Sequence, residues 1–476
     1  MARNNQSIDE ISFLPAWELA AKIKAKELSP VEVTEHFLRR IDRIDPNLKA
    51  FITVAADQAN DSARAAESKI MKGESLPQLF GVPLAVKDTL FTGGIRSTGA
   101  SLVYNDFVPD QNAGAVERLI QSGAIVLGKT TTPEFAMGGG LSYNRLIDDD
   151  CHNPWDVERT ASASSGGSAA SVAAGLAPLA IGSDAGGSIR LPAACCGVYG
   201  LKQTNGRVPA YNAFESMPMF NVVGPITRCV RDAAIMLEIM AGYDPRDPLS
   251  IRQDPPQYSK LIDENKTPLK IAWSPDFGRT GLSSEIISVV EAAVQMFVSL
   301  GDNVEDRSPK VCGSEQAFMT IAQADLYAGH GEALERHPEK FTAVLKSIME
   351  EGKRITGPEY AKALWCIDQI RDQMTSFFKD YDLLITPTLG VATLNIKDVL
   401  RHYGETNDEL NAILTFTVLA NLIHAPSASI PCGFTSDGLP VGMLITGRPG
   451  QDEIVLGASA KFESACPWVD KHPPVS

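Results

Sequence analysis

The residues best placed to do chemistry lie in two glycine-rich segments, Ser164-Ser165-Gly166-Gly167-Ser168 and Asp184-Ala185-Gly186-Gly187-Ser188-Ile189-Arg190. A small-residue helical stretch and a short apolar run separate them, and Ser164 and Ser188 stand 24 residues apart. Glycine lets the backbone come close to a ligand and expose successive N–H groups. A serine that closes such a turn, as Ser188 does, can present its hydroxyl while the N–H groups of Ala185, Gly186, Gly187 and Ser188 point at a developing oxyanion. A single turn of this kind reads as structural. Two of them, with Lys87 at the end of the apolar run Val82–Val86, read as a reactive site.

Competing motifs fall away on context. Gly123-Ala124-Ile125-Val126-Leu127-Gly128-Lys129-Thr130 matches the P-loop pattern of a nucleotide hydrolase. A P-loop, however, needs a flexible loop and a helix starting at its lysine, whereas here the middle residues are strand-like and Thr131-Thr132-Pro133 follows. The GxSxG elbow is absent, and none of the seven histidines stands beside a nucleophile turn, which disfavours a Ser-His-Asp triad. Ser376-Phe377-Phe378-Lys379 satisfies SxxK but sits in a helical stretch without companion motifs, so it reads as a partly exposed helix face. The eight cysteines form no CxxC pair and no zinc spacing; they read as buried free thiols, and neither metal nor cofactor is expected.

The elements that must position these residues alternate. Val82–Val86, Ile125–Leu127 and Leu179–Ile181 read as strands, with Ala115–Gln121 and Ser168–Ala174 as helices between them. Lys270–Trp273, Leu383–Ile385 and Val441–Ile445 are further strands. This pattern predicts an α/β fold in one large domain over 1–476, a mixed central sheet covered by helices on both faces. An N-terminal helical wrap is expected over 12–72, where Ser29-Pro30-Val31-Glu32 forms a capping box and Val31, Thr34, Phe37, Leu38, Ile41 and Ile44 follow at helical spacing. The signature region carrying the chemistry is expected over 80–240, and a mainly helical peripheral layer over 285–380.

Composition narrows the function. A net charge of -15 and a pI near 5.0 leave no basic excess for phosphates, so direct nucleic-acid binding is not expected. With 44% apolar residues the chain can bury a large core, yet it has no apolar run of about 18 residues to cross a membrane. The start, Met1 to Gln6, leads into acidic residues rather than a signal-peptide core, so the expected location is cytoplasmic and the expected partner a small molecule.

The chain resembles the amidase signature family over most of its length. The resemblance runs through Gly81–Asp88, Gly128-Lys129-Thr130, Asn153-Pro154-Trp155, the serine-glycine block and Asp184–Arg190. It continues through Cys196–Lys202, Gly206-Arg207-Val208 and Gly224-Pro225-Ile226 to Gly438–Gly442. It implies a Ser-Ser-Lys triad, with Ser188 as nucleophile, Ser164 as bridging serine and Lys87 as base, and with the 185–188 turn as oxyanion hole. Ser165, Asp184 and Arg190 then support the turn, Gly138, Gly139 and Gly140 bind substrate, and Lys129 and Lys202 are structural. A lysine titrates at about 10.4 in water and accepts a proton near neutrality only where burial disfavours its charge, as the end of an apolar strand would. The family has Pro-Gly-Gly before the bridging serine and a cis peptide there; this chain has Ala161-Ser162-Ala163. The implied reaction is hydrolysis of carboxylic amides, with carbamates (urethanes) and esters as accessible relatives. The apolar stretch Tyr211–Phe220, as a pocket wall, favours aryl or alkyl substrates. The rival within the family is the glutaminase subunit of a tRNA-dependent amidotransferase, and assembly stays open between monomer and homodimer.

Overall fold

Ser29 caps the first long helix, Pro30–Leu48, as its sequence demands. Its Oγ accepts the N–H groups of Val31 (3.0 Å) and Glu32 (3.4 Å), and the Glu32 carboxylate accepts the Ser29 N–H in return. Phe37, Ile41 and Ile44 bury the apolar stripe, with Val31 and Leu38 on its margin. The computed structural model describes residues 10–475 other than 139, 215–216, 265–266, 312 and 402–412. The N-terminal segment is more than a wrap, because Phe51–Val54 leaves the helices and pairs antiparallel with Ile125–Thr130 as a sheet edge.

The described residues form a mixed sheet of eleven strands and a small two-stranded ribbon of His152–Asn153 and Asp156–Thr160. From that edge the order is Phe51–Val54, Ile125–Thr130, Pro83–Lys87, Leu179–Asp184, Val222–Thr227 and Tyr199–Lys202. The second half continues with Ser427–Phe434, Pro440–Gly447, Leu383–Pro387, Lys270–Trp273 and Asn303–Asp306. Pro83–Lys87 runs parallel to both of its neighbours, and Leu179–Asp184 is antiparallel to Val222–Thr227. Every expected strand is present. Two of the strands that sequence reasoning did not anticipate contain breakers: Pro225 lies inside one, and Pro431 sits in another where the register shifts before Gly433.

The helices Gly166–Ala173 and Arg190–Cys196 pack on each other and on the sheet, carrying the two glycine-rich turns at their N-termini. Both the Pro83–Lys87 and Leu179–Asp184 strands are buried throughout, so the sheet delivers polar side chains at their ends into a dry interior. The stretch 285–380 divides. Helix Ser284–Ser299 lies on the sheet and Asn303–Asp306 forms its far edge, while the helices Ser314–Arg336, Ala343–Gly352 and Gly357–Phe377 pack together outside it. Ser376 and Lys379 are exposed and Phe378 is buried, as a surface helix face requires. Four cysteines are buried, but Cys366, midway along the outer helix Gly357–Phe377, and Cys432 and Cys466, at or near the ends of their elements, are partly exposed; Cys312 lies outside the described residues. Among the described residues no helix is long and apolar enough to cross a membrane.

Candidate active site

Lys87 ends its strand fully buried. Its Nζ donates to Ser164 Oγ at 2.7 Å and to Ser183 Oγ at 2.5 Å. Ser164 follows a cis Ala163–Ser164 peptide and opens the turn into helix Gly166–Ala173. Its neighbour Ser165 ties three pieces together. The Ser165 N–H donates to the Ser188 carbonyl at 3.0 Å, its Oγ donates to the Ser183 carbonyl at 3.3 Å, and the Ser183 N–H returns to that Oγ at 3.4 Å. The Lys87–Ser164 pair is thereby held against the turn that carries Ser188. Ser188 and Ala185 are the only partly exposed residues of the 184–190 segment; the others are buried.

That turn is built on Asp184. Its carboxylate accepts the N–H of Gly187 at 2.7 Å and of Ile189 at 3.1 Å, and Arg190 clamps it from Nε at 3.0 Å and Nη2 at 2.9 Å. Burial alone would raise this carboxyl, but the guanidinium and the N–H donors outweigh burial and hold it well below the usual carboxylate range. Arg190 also donates to the Thr417 carbonyl and to Asn421 Oδ1, at 2.9 and 2.6 Å. Asn421 Nδ2 donates to the Asp184 carbonyl at 2.9 Å, and Thr417 Oγ1 donates to the Gly186 carbonyl at 2.6 Å. Gly187 has φ of 134°, and a Cβ there would lie 2.4 Å from Thr417 Oγ1, so only glycine fits.

One expectation changes. The Gly187 N–H, expected to face an oxyanion, is instead bound by Asp184, because an aspartate three residues back reaches it. The glycine strip is only partly seen. Gly138 is buried and Gly140 partly exposed, while Gly139 lies outside the described residues. The strip leads into Ser142, whose Oγ donates to the Ser162 carbonyl at 2.8 Å, beside the bridging-serine turn.

Sequence reasoning missed Ser183, Thr417 and Asn421. Ser183 sits in a strand buried on both faces and gives no periodic signal. Asn421 did carry one, since an amide within the apolar run Val418–Ile423 must find hydrogen-bond partners when buried. The other buried lysines are committed elsewhere. Lys129 Nζ donates to the Leu90 carbonyl and Ser97 Oγ, at 2.5 and 2.6 Å; burial pulls it down to about 8 against the pull of Asp88. Lys202 donates to Asn205 Oδ1 and to the carbonyls of Gln203 and Ala425, and burial brings it down to about 7. Among the described residues no group of three or more His, Cys, Asp or Glu side chains is arranged to hold a metal ion.

A cavity of about 610 Å³ opens beside the site. Its lining does not include Lys87, Ser164 or Ser188, but its wall is joined to their supports. Ala213 bridges to Leu90, the Phe214 N–H donates to the Thr89 carbonyl at 2.9 Å, and Asn421 Nδ2 reaches the Phe220 carbonyl at 3.3 Å. Phe91, Tyr104 and Phe107 surround Phe214 with ring centroids 4.9, 4.8 and 5.6 Å away. Ala213, Phe214, Met217, Pro218, Met219 and Phe220 line the cavity, while Phe214, Met217 and Phe220 are at the same time packed into the core.

Residues 32–456 match the family model Amidase. An acylamidase of Rhodococcus erythropolis is 35% identical over 467 residues, covering 97% of this chain and 98% of that protein. A glutamyl-tRNA(Gln) amidotransferase subunit from Moorella thermoacetica is also 35% identical, over 493 residues, covering 98% and 99%. Among solved structures, a bacterial aryl acylamidase of the amidase signature family superposes with a TM-score of 0.87 at 29% identity, covering 96% of this chain and 97% of that one.

Proposed function

This chain belongs to the amidase family, hydrolases of carbon–nitrogen bonds, and on that premise we propose that it cleaves aryl or alkyl carboxylic amides through an acyl-enzyme on Ser188. The carrying observation is the buried contact of Lys87 Nζ with Ser164 Oγ, at 2.7 Å, in a turn whose next residue, Ser165, donates its N–H to the carbonyl of the partly exposed Ser188 at 3.0 Å. Ser188 Oγ attacks the carbonyl carbon, its proton passes to Ser164 Oγ, and the Ser164 proton passes to the neutral amine of Lys87. The oxyanion is met by N–H groups of Ala185, Gly186 and Ser188. Collapse breaks the C–N bond, and the leaving amine takes the proton back from Lys87 through Ser164. Water, activated by the same relay, then releases the acid. Ser183 is a positioning residue in this scheme, holding the Lys87 amine on the Ser164 side of the strand. Carbamates and esters pass through the same oxyanion and are accessible.

The aromatic cavity supports aryl or alkyl groups over a small polar amide such as glutamine. The second reading, the glutaminase subunit of an amidotransferase, is favoured by the Moorella relative. The purified chain should therefore be assayed alone against glutamine, an anilide, a p-nitrophenyl ester and an aryl carbamate. Anilide turnover, with a burst from the ester and an acyl adduct on Ser188, supports the proposal. An adduct on Ser164 overturns the assignment, and glutamine turnover seen only with added partner subunits favours the second reading.

A further inference from the structure

Helix Ser314–Arg336 links the Ser188 turn to the cavity. Near its start Phe318 fills the space beside Gly186, where a Cβ would lie 2.6 Å from Phe318 Cζ. Seven residues later Asp325 lines the cavity. Residues i and i+7 of a helix share a face and are separated by about 10 Å along its axis, so Asp325 stands about that far along the helix from Phe318.

Among the described lining residues Asp325 is the carboxylate. It is only partly exposed, and its Oδ1 accepts the Tyr360 O–H at 2.9 Å, which fixes its direction. Burial raises its carboxyl above the ordinary value, against the Tyr360 bond, and an arriving cation reverses that. His330, also on the cavity wall, adds no competing charge, since burial lowers its pKa and its Nε2 faces the Phe214 carbonyl at 3.2 Å. Aromatic faces attract cations, and Phe214, Phe91, Tyr104 and Phe107 line the same cavity as Asp325. A net charge of -15 on the whole chain favours the same ligand at long range.

We propose that this cavity recognises a cationic amine on the substrate, separated from the scissile carbonyl by an aromatic spacer, with the ammonium on Asp325 and the spacer against Phe214. The site rests on the amide-hydrolase reading for its reaction but not for its binding, and the test separates the two.

Binding is measured on the Ser188→Ala protein with two pairs of probes: para-aminoethyl against para-propyl acetanilide, and a phenylpropanamide bearing para-aminomethyl against para-ethyl. The pairs place the charge on the amine side and on the acyl side of the amide. In at least one pair the cationic member should bind about tenfold tighter or better, as a charge-assisted bond in a partly buried site does. Asp325→Asn in the same background should abolish that ratio, and Asp325→Glu should retain it, which a general folding defect would not. Absence of cationic preference in both pairs, including absence of any binding, overturns the proposal, as does a preference that survives Asp325→Asn. The unsubstituted protein is then assayed for turnover of the same amides. Cationic preference without hydrolysis of any amide sinks the hydrolase reading alone, and hydrolysis without the preference sinks the cationic site alone.

Discussion

Asp184→Asn tests whether the Ser188 turn is held by charge. The wild-type carboxylate accepts five bonds: from the Gly187 and Ile189 N–H groups, two from Arg190 and one from Asn421 Nδ2. Oδ1 takes three of these and Oδ2 two, so either orientation of an asparagine amide turns its NH2 against at least two donors. The substitution also leaves Arg190, with no exposed surface, without its counter-ion. Removing one partner of a buried ion pair costs about 3–5 kcal/mol. Unfolding entropy near 2.1 cal/mol/K per residue gives about 1 kcal/mol/K for 476 residues, so Tm should fall by about 3–5 °C. Amide turnover should be lost at temperatures where the protein remains folded, because Gly187 and Ile189 on both sides of Ser188 lose their anchor. The sign with pH follows from the depressed carboxyl. Its stabilisation is complete above the unfolded value of about 3.9 and is lost as pH falls through the folded value, so the gap between wild type and variant should close in acid. Calorimetry against pH and an anilide assay provide both readouts. A variant that melts with the wild type at pH 7 and keeps its turnover refutes the reasoning.

Other perturbations separate reacting groups from supporting ones. Lys87→Ala should lower amide turnover by about a hundredfold to ten-thousandfold with the fold retained by circular dichroism, and near-normal turnover removes it as the base. Ser183→Ala should lower kcat about tenfold through loss of one hydrogen bond to the amine while leaving KM in place, and Ser183→Thr should restore it; an unchanged kcat removes its positioning role. Gly187→Ala should cost about 1–3 kcal/mol and most of the activity, since its Cβ would collide with Thr417; full activity with an unchanged Tm means that the turn is more pliable than the structure implies.

Local chemistry made much of this molecule legible. The Ser29–Glu32 box, the apolar run into Lys87 and the strand over Ile125–Leu127 each depend on neighbours in the chain, and each is found where the pattern puts it. That same strand explains why the P-loop spelling at Gly123–Thr130 is empty of its usual meaning, since Lys129 turns into the core toward Leu90 and Ser97. What depends on distant residues was not legible. Val222–Thr227 conceals its strand behind Gly224-Pro225; its ladder with Tyr199–Lys202 covers only Thr227 and Ile226, so Pro225, paired with Ile181 on the other side, lies beyond it. The Gly187 N–H looks available until Asp184 is seen to fold back on it. Thr417 and Asn421 had no visible tie to the Ser188 turn until the sheet closed.

That closure sets a timetable for synthesis. Arg190 Nη2 and Asn421 Oδ1 are 231 residues apart in the chain, so the last support of the Ser188 turn leaves the ribosome long after the serines and lysine it serves. At translation rates of about 5–20 residues per second the interval is roughly 10–50 s. Throughout it the nascent chain carries Lys87, Ser164 and Ser188 without Thr417 and Asn421 to clamp the turn. Chains stalled before residue 417 should therefore resist a serine-directed acylating probe that labels the released protein. On the proposed mechanism, a product truncated before residue 417 should then be inert rather than indiscriminately reactive.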